Sequence, residues 1–380
     1  QRILGIRLPE KFEDKLELAE NDRPVVIITH REHHSNQTSW LETICDVEII
    51  TPDINGEIDL ECLKKLLKKY EDRPIKIASI TDCSNVTGLR SPIHKIAKIM
   101  HENGGLCFVD YACSAPYVPI NMHPKDKLER LDAIFFSPHK FLGGPGSAGV
   151  LIFDEKLYKN RRPDNPGGGT VLWTNAWQEQ HYFEDIEVRE DGGTPAFLQT
   201  IRSALTIKLK EKIGMENIIN REEELLKIIF QRLSKIDNLT ILEGEKHKRL
   251  GVVSFYIEEL HHNLIVKILN DRYGIQMRGG CACAGTYGHY LFNINRVTSK
   301  EITDMIDHGN LQDKPGWVRF SINPIMTNDE IISVTEALRE IAQKGVEFSK
   351  DYEYDEHSNE YNLKEGEVEL DSKISDWFRF

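Results

Sequence analysis

The sequence predicts an α/β protein built on a mostly parallel sheet, and three observations carry that reading. Short apolar runs, each too brief to be a helix, alternate with helical patterns from Val25 onward. Polar residues able to do chemistry follow directly on the ends of several of these runs. A second α/β block comes after a long glycine- and proline-rich stretch.

Val25-Val26-Ile27-Ile28-Thr29-His30 reads as a buried strand, and residues 47–50, 75–80, 106–109, 133–136 and 149–152 repeat the pattern. Between the third and fourth runs, Ser91 is expected to cap a helix with Pro92 at its first position. Ile93, Ile96, Ala97 and Met100 then fall at helical spacing before Gly104-Gly105 ends it. Such a βαβ unit brings its strand-end residues to one edge of the sheet. Residues 160–194, with Pro163, Pro166, three consecutive glycines and Gly192-Gly193, read as loop reaching across an interface or over a ligand.

A helix over 197–213 leads into the second block. There Leu226, Ile229, Phe230 and Leu233 make one helix face, residues 251–257 and 317–322 make strands, and Val266 and Leu269 lie on a further helix. Thr327-Asn328-Asp329-Glu330 is a capping box for a helix with Ile331, Val334, Leu338 and Ile341 on its face. The expected organisation is a large domain over 1–205, a smaller α/β domain over 206–345, and an acidic, tyrosine-rich tail over 346–380, either solvated or laid on a neighbour.

A chain of 380 residues exceeds one ordinary core, in keeping with two domains. A net charge of -13 argues against nucleic acid or an anionic membrane as partner, and no apolar run is long enough to span a bilayer. Seven cysteines, an odd number without a secretory signal, read as reduced thiols in a cytoplasmic protein, with Cys62 and Cys107 in apolar patterns as core. The chain opens without Met, as if a helix were already under way, so residues are expected upstream.

The chemistry gathers at four strand ends: Glu32-His33-His34-Ser35-Asn36, then Asp82-Cys83-Ser84-Asn85-Val86-Thr87-Gly88, then Asp110, then Ser137-Pro138-His139-Lys140. A lysine carried to the end of a buried strand is expected to lose water, which favours a neutral, nucleophilic amine. Each residue also has an ordinary explanation. Lys140 can keep its head in solvent, His33 can be a loop histidine, Asn85 a turn residue and Asp110 a helix cap. Together they match what pyridoxal 5'-phosphate needs: a Schiff-base lysine, a carboxylate on the ring nitrogen, an aromatic plane, a donor to the phenolic oxygen and a phosphate cradle.

These four motifs, in this order, resemble the class V aminotransferase family, in particular its cysteine desulfurase and selenocysteine lyase branch, over roughly 25–345. The resemblance implies the fold type I architecture of the pyridoxal-phosphate-dependent transferases. It places His33 on the cofactor ring, Asn85 near the phenolic oxygen, Asp110 on the pyridine nitrogen, Ser137 and His139 on the phosphate, and Lys140 as the Schiff-base lysine. Gly167-Gly168-Gly169 and Gly193-Thr194-Pro195 resemble segments that reach a neighbouring subunit's phosphate, which implies a homodimer, with Gly168 and Thr194 as cofactor contacts.

In the second block, Arg278-Gly279-Gly280-Cys281-Ala282-Cys283 resembles the mobile loop of the persulfide-forming cysteine, with Cys283 at that position and Cys281 extra. Arg319 resembles the arginine that grips the substrate carboxylate, and Arg278 assists. The implied reaction removes sulfur or selenium from an amino acid and passes it to a sulfur-acceptor protein. The departures are Cys113, where the family has a glutamine, and the absence of the upstream glycine-threonine phosphate loop. The alternatives are an aminotransferase or another lyase that does not use Cys283, and, of a different class, a non-catalytic protein or a metal-binding module built on Cys281, Cys283 and His289.

Overall fold

The computed structural model describes residues 1–364 together with Ser375 and Trp377. The chain divides into two compact units, Gln1–Ser84 with Leu89–Ile219, and Asn85–Gly88 with the chain from Asn220 onward. In the main chain this division falls after Ile219.

The first unit is organised by a six-stranded sheet. Its elements in order are β1 (Val25–Thr29), α1 (His34–Leu41), β2 (Asp46–Ile50), α2 (Leu60–Lys69), β3 (Lys76–Thr81), α3 (Ile93–Glu102), β4 (Leu106–Asp110), β5 (Ala133–Phe136) and β6 (Val150–Phe153). The strand order is β2-β1-β3-β4-β5-β6, parallel except for β6, which runs antiparallel to β5. All five residues of β1 are buried, as a strand covered on both faces requires. Trp40 of α1 stacks 6.4 Å from Phe108 of β4 and joins Val26, Ile28 and Ile77 in one core.

The chain leaves β1 in one direction, towards β2, and goes from β3 in the other, towards β4. The carboxyl ends of β1 and β3 therefore flank a topological switch point, where sheets of this kind leave a crevice. The hairpin β7 (Val171–Thr174) and β8 (Gln180–Tyr182) lies inside the stretch read as loop, followed by α4 (Ile186–Glu190) and α5 (Phe197–Ile213).

The sequence placed Ser91 as the cap of α3, but Pro92 holds that position and no side chain caps the helix. The backbone explains this, since Ile93 N donates to Ser91 O and closes the turn without the hydroxyl. Cys62, expected in the core, is half-buried, whereas Cys107 is fully buried.

The second unit takes up α6 (Met215–Leu233) from Asn220 and adds β9 (Leu239–Ile241), β10 (Val252–Ile257), α7 (His262–Tyr273), β11 (Arg278–Gly280), α8 (Gly285–Leu291), α9 (Arg296–Asp307), β12 (Trp317–Ser321) and α10 (Asn328–Phe348). Its antiparallel sheet has the order β11-β12-β10-β9. Strand alternation divides the faces. Val253, Phe255, Ile257, Val318 and Phe320 join the core with residues of α6, α7 and α10, leaving Ser254 and Arg319 on the opposite face. Thr327 and Glu330 form the expected capping box at the start of α10.

Residues 352–363, read from the sequence as part of a tail, form a hairpin of β13 (Tyr352–Asp355) and β14 (Glu360–Leu363). Tyr352 is 4% exposed and belongs to the core, so these tyrosines are packing groups. The rest of that expected tail lies outside the described residues apart from Lys364, Ser375 and Trp377. Among the described residues no helix is long and apolar enough to cross a membrane.

A buried carboxylate braces the switch point. Glu32 Oε1 accepts from Thr29 Oγ1 at 2.6 Å at the end of β1 and from Thr81 N at 2.9 Å at the end of β3, while Oε2 accepts from Asn36 Nδ2 at 2.7 Å in α1. Burial pushes its carboxyl up to about 7, against the opposing effect of these donors. The folded protein then keeps a proton that the unfolded chain releases, so stability is fullest in acid and falls as pH rises from 4.5 to about 7. Glu32→Gln is expected to remove that part of the decline, on the order of 3 kcal/mol. Denaturant unfolding of the parent and variant at several pH values across the window measures it, and parallel curves would contradict the assignment.

Candidate active site

The parallel ladder delivers one group of residues to its carboxyl edge. Asp110 is the last residue of β4, paired with Thr81 of β3 on one side and Phe135 of β5 on the other. It is 7% exposed, and its Oδ1 accepts from Ala112 N at 2.7 Å. Burial raises its carboxyl above the usual range, while the Ala112 N–H and the charge of Lys140 act in the opposite direction. The loop after Asp110 is fastened by Lys210 of α5, whose Nζ donates to Ala115 O and Val118 O at 2.5 and 2.6 Å. Burial lowers that amine to about 8.

Ser137 precedes a single 3-10 turn, Pro138–Lys140, that begins as β5 ends, and its side chain makes no capping hydrogen bond. Lys140 N donates to Ser137 O at 3.0 Å and Phe141 N to Pro138 O at 2.9 Å. Gly144 closes over this turn so tightly that a Cβ there would lie 1.9 Å from Pro138 O. His139 and Lys140 are exposed and Ser137 is half-buried, so Lys140 is not the water-stripped lysine the sequence suggests. His33 caps α1, its Nδ1 accepting from Ser35 N at 3.1 Å, which leaves the neutral ring's proton on Nε2. Gly168 and Thr194 are exposed, and Gly193 N donates to Gly168 O at 2.9 Å, joining the two glycine segments.

A second group assembles within the other unit. Residues 85–88 leave the sheet edge between Ser84 and Leu89, whose N and O are joined at 3.0 Å, and they pack with the second unit. Ser254 Oγ donates to Val86 O at 2.6 Å, and Leu250 N to Gly88 O at 2.8 Å. Gly88 has φ +71°, and a Cβ there would meet Leu250 O at 2.4 Å, so the close approach admits only glycine.

Asn85 Nδ2 donates to Ala282 O at 2.7 Å, and Asn85 O accepts from Arg319 Nη1 at 3.3 Å. Its Oδ1 is buried and has no partner among the described residues. The cysteine loop is therefore pinned rather than merely given reach by its glycines. Ala282 and Cys283 both take left-handed conformations, φ +52° and +57°, each costing about 1–2 kcal/mol in an L-residue. The Asn85 bond and the burial of Ala282 and Ala284 against Val86, Tyr287 and Trp317 oppose that cost.

Arg278 Nη2 donates to Cys283 Sγ at 3.3 Å. Arg278 also lies directly opposite Arg319 across the β11–β12 pair. Like charges at such a position repel, and an anion between them removes the repulsion. His289 has its ring nitrogens at 2.8 Å from Gly285 O and 2.8 Å from Ser299 Oγ, and no group of three His, Cys, Asp or Glu gathers as a metal site among the described residues.

The sequence offers Glu32 without a role, although an acidic residue three positions beyond a continuous apolar strand was the available signal. Nor does it show the loop-pinning bond of Asn85, which joins residues far apart in the chain.

The aminotransferase class-V family model matches residues 15–334. The chain belongs to this family. It is 31% identical over 264 residues to a cysteine desulfurase of Haloferax volcanii, covering 68% of this chain and 59% of that protein. Over 275 residues it is 31% identical to a probable cysteine desulfurase of Halalkalibacterium halodurans, covering 70% and 63%. The match thus spans about three fifths of these relatives' length. Among solved structures, an apo cysteine desulfurase from Thermococcus onnurineus superposes with a TM-score of 0.69 at 25% identity, over 85% of this chain and 74% of that one. A cysteine desulfurase from Escherichia coli shares the fold, with a TM-score of 0.67 at 21% identity over 85% and 73%. The architecture is the fold type I α/β arrangement that the sequence led us to expect.

Asn85→Ala is expected to free the cysteine loop and raise the rate of Cys283 alkylation about 3- to 10-fold, the scale of one hydrogen bond. Timed labelling with iodoacetamide and peptide mapping reads this, and an unchanged rate would show that the bond does not hold the loop.

Proposed function

We propose that the chain is a pyridoxal-phosphate-dependent cysteine desulfurase, with selenocysteine as a second substrate, acting through Cys283. One observation carries the proposal. The thiol of Cys283 accepts a hydrogen bond from Arg278, which is itself paired across the sheet with Arg319. A sulfur nucleophile is thereby held beside a twin-arginine position suited to an amino acid's carboxylate. Among the described residues Arg278 donates to Cys283 and no donor to Cys281 is found, which supports Cys283 as the acting thiol.

The residues fit the cofactor. Asp110 is a buried carboxyl at a strand end under the influence of Lys140, and Asn85 has a buried Oδ1 lacking a partner among the described residues. Lys140 would carry the cofactor covalently, Asp110 would hold the proton on its ring nitrogen, and His33 would lie against its ring. Ser137 and His139, with Gly168 and Thr194 of a second copy, would hold its phosphate. When bound, pyridoxal phosphate supplies a ring that accepts electron density from the substrate's α-carbon. Lys140 Nζ would move the α-proton. Cys283 Sγ attacks the substrate sulfur. The S–S bond forms as the carbon–sulfur bond breaks, the carbon keeping the bonding pair and taking a proton to give alanine. Arg278 faces the resulting persulfide until an acceptor protein removes the sulfur.

The homodimer is part of this proposal. On α5, Phe197, Leu198, Ile201 and Leu205 are between 55% and 78% exposed, an apolar stripe of the kind that associates with another surface. Seven free thiols support a reducing, cytoplasmic setting.

Cys283→Ser is expected to abolish conversion of cysteine to alanine, by at least 100-fold on the scale of a lost nucleophile, and to leave no persulfide on the protein. Cys281→Ser should retain turnover. Undiminished alanine formation by Cys283→Ser would instead identify a lyase or aminotransferase that does not use this thiol.

A further inference from the structure

Cys83 and Cys113 are neighbours at the carboxyl edge of the first unit's sheet. Cys83 lies two residues beyond β3 and is 1% exposed, while Cys113 lies three residues beyond β4 and is half-buried. The ladder holds the two segments together past its last paired residues, with Asp82 N donating to Asp110 O at 2.9 Å. Both thiols donate to one oxygen, Ser84 O, at 3.5 Å from Cys83 Sγ and 3.9 Å from Cys113 Sγ. The two thiols are near enough for each to bear on the other's ionisation. The sulfur chemistry proposed above uses neither residue.

We infer that Cys83 and Cys113 are a redox-active dithiol, a modification site for oxidants of the hydroperoxide class that closes to an intramolecular disulfide. Their unequal exposure orders the steps. The Cys113 sulfur meets the oxidant, attacks one oxygen of the O–O bond and keeps it as a sulfenic acid, and the other oxygen leaves with the thiol proton, as water from hydrogen peroxide or as the alcohol from an organic hydroperoxide. The Cys83 sulfur then attacks the oxidised sulfur. The S–S bond forms as the S–O bond breaks, and the hydroxyl leaves with the Cys83 proton as water. Two thiols are oxidised and one peroxide is reduced. Burial, first, and the adjacent Cys113 push the Cys83 thiol up, which suits a resolving thiol that does not itself meet the oxidant. The bridge ties the turn entering Asn85 to the loop leaving Asp110. Its effect on the cofactor rests on the function proposed above, whereas its formation does not.

The test uses the full chain treated with hydrogen peroxide, denatured in N-ethylmaleimide, digested and mapped by mass. The expected product is a peptide pair joined through Cys83 and Cys113 and released by dithiothreitol. It should persist in the Cys281→Ser/Cys283→Ser double variant, which removes the competing pair and any persulfide chemistry. Cys113→Ser should abolish it and leave Cys83 free for labelling after denaturation. Peroxide that carries Cys113 to a sulfinic acid while Cys83 stays free, or that joins only Cys281 to Cys283, overturns the inference.

Discussion

The parallel hydrogen-bond ladder of the first unit is the constraint on which the rest depends. Because β1, β3, β4 and β5 run the same way, their carboxyl ends are flush, and whatever follows each strand meets at one edge. Parallel strands need crossover connections, and β1, buried along its whole length, is covered on both faces. The ladder does not stop with the strands: His30 N reaches Ile50 O and Tyr111 N reaches Phe135 O, extending order into the segments that bear His33 and Asp110. Glu32 adds a side-chain brace between β1, β3 and α1 where the winding direction changes.

In the second unit the corresponding constraint is a strained loop. Two consecutive L-residues at positive φ persist only where their surroundings over-determine them. Here those surroundings are the Asn85 amide, a small apolar cluster around Trp317, and the β11–β12 pair that sets Arg278 against Arg319. Charge and strain coincide at Cys283.

Much of the first sheet was legible because its strands are short, largely apolar runs, too brief to be helices. The helix at Phe197–Ile213 and the capping box at Thr327 were legible for similar reasons, each resting on a local pattern. Long-range chemistry was not. Nothing near Asn85 in the chain points to Ala282, and nothing near Cys83 points to Cys113. The β13–β14 hairpin was hidden because its acidic residues mask two tyrosines that pack on each other 5.1 Å apart. Ser91 carried a cap signal that the neighbouring backbone made unnecessary. The exposure of Lys140 shows that a strand-end lysine need not be stripped of water by its own unit.

The central claim is that the Ser137-Pro138-His139-Lys140 turn carries a pyridoxal phosphate. The most direct measurement is borohydride reduction of protein saturated with pyridoxal phosphate, followed by peptide mapping. The account predicts that the cofactor mass is fixed on Lys140 and that a visible absorption band disappears with it. Cofactor fixed on other lysines alone, or no protein-bound cofactor at all, would contradict it.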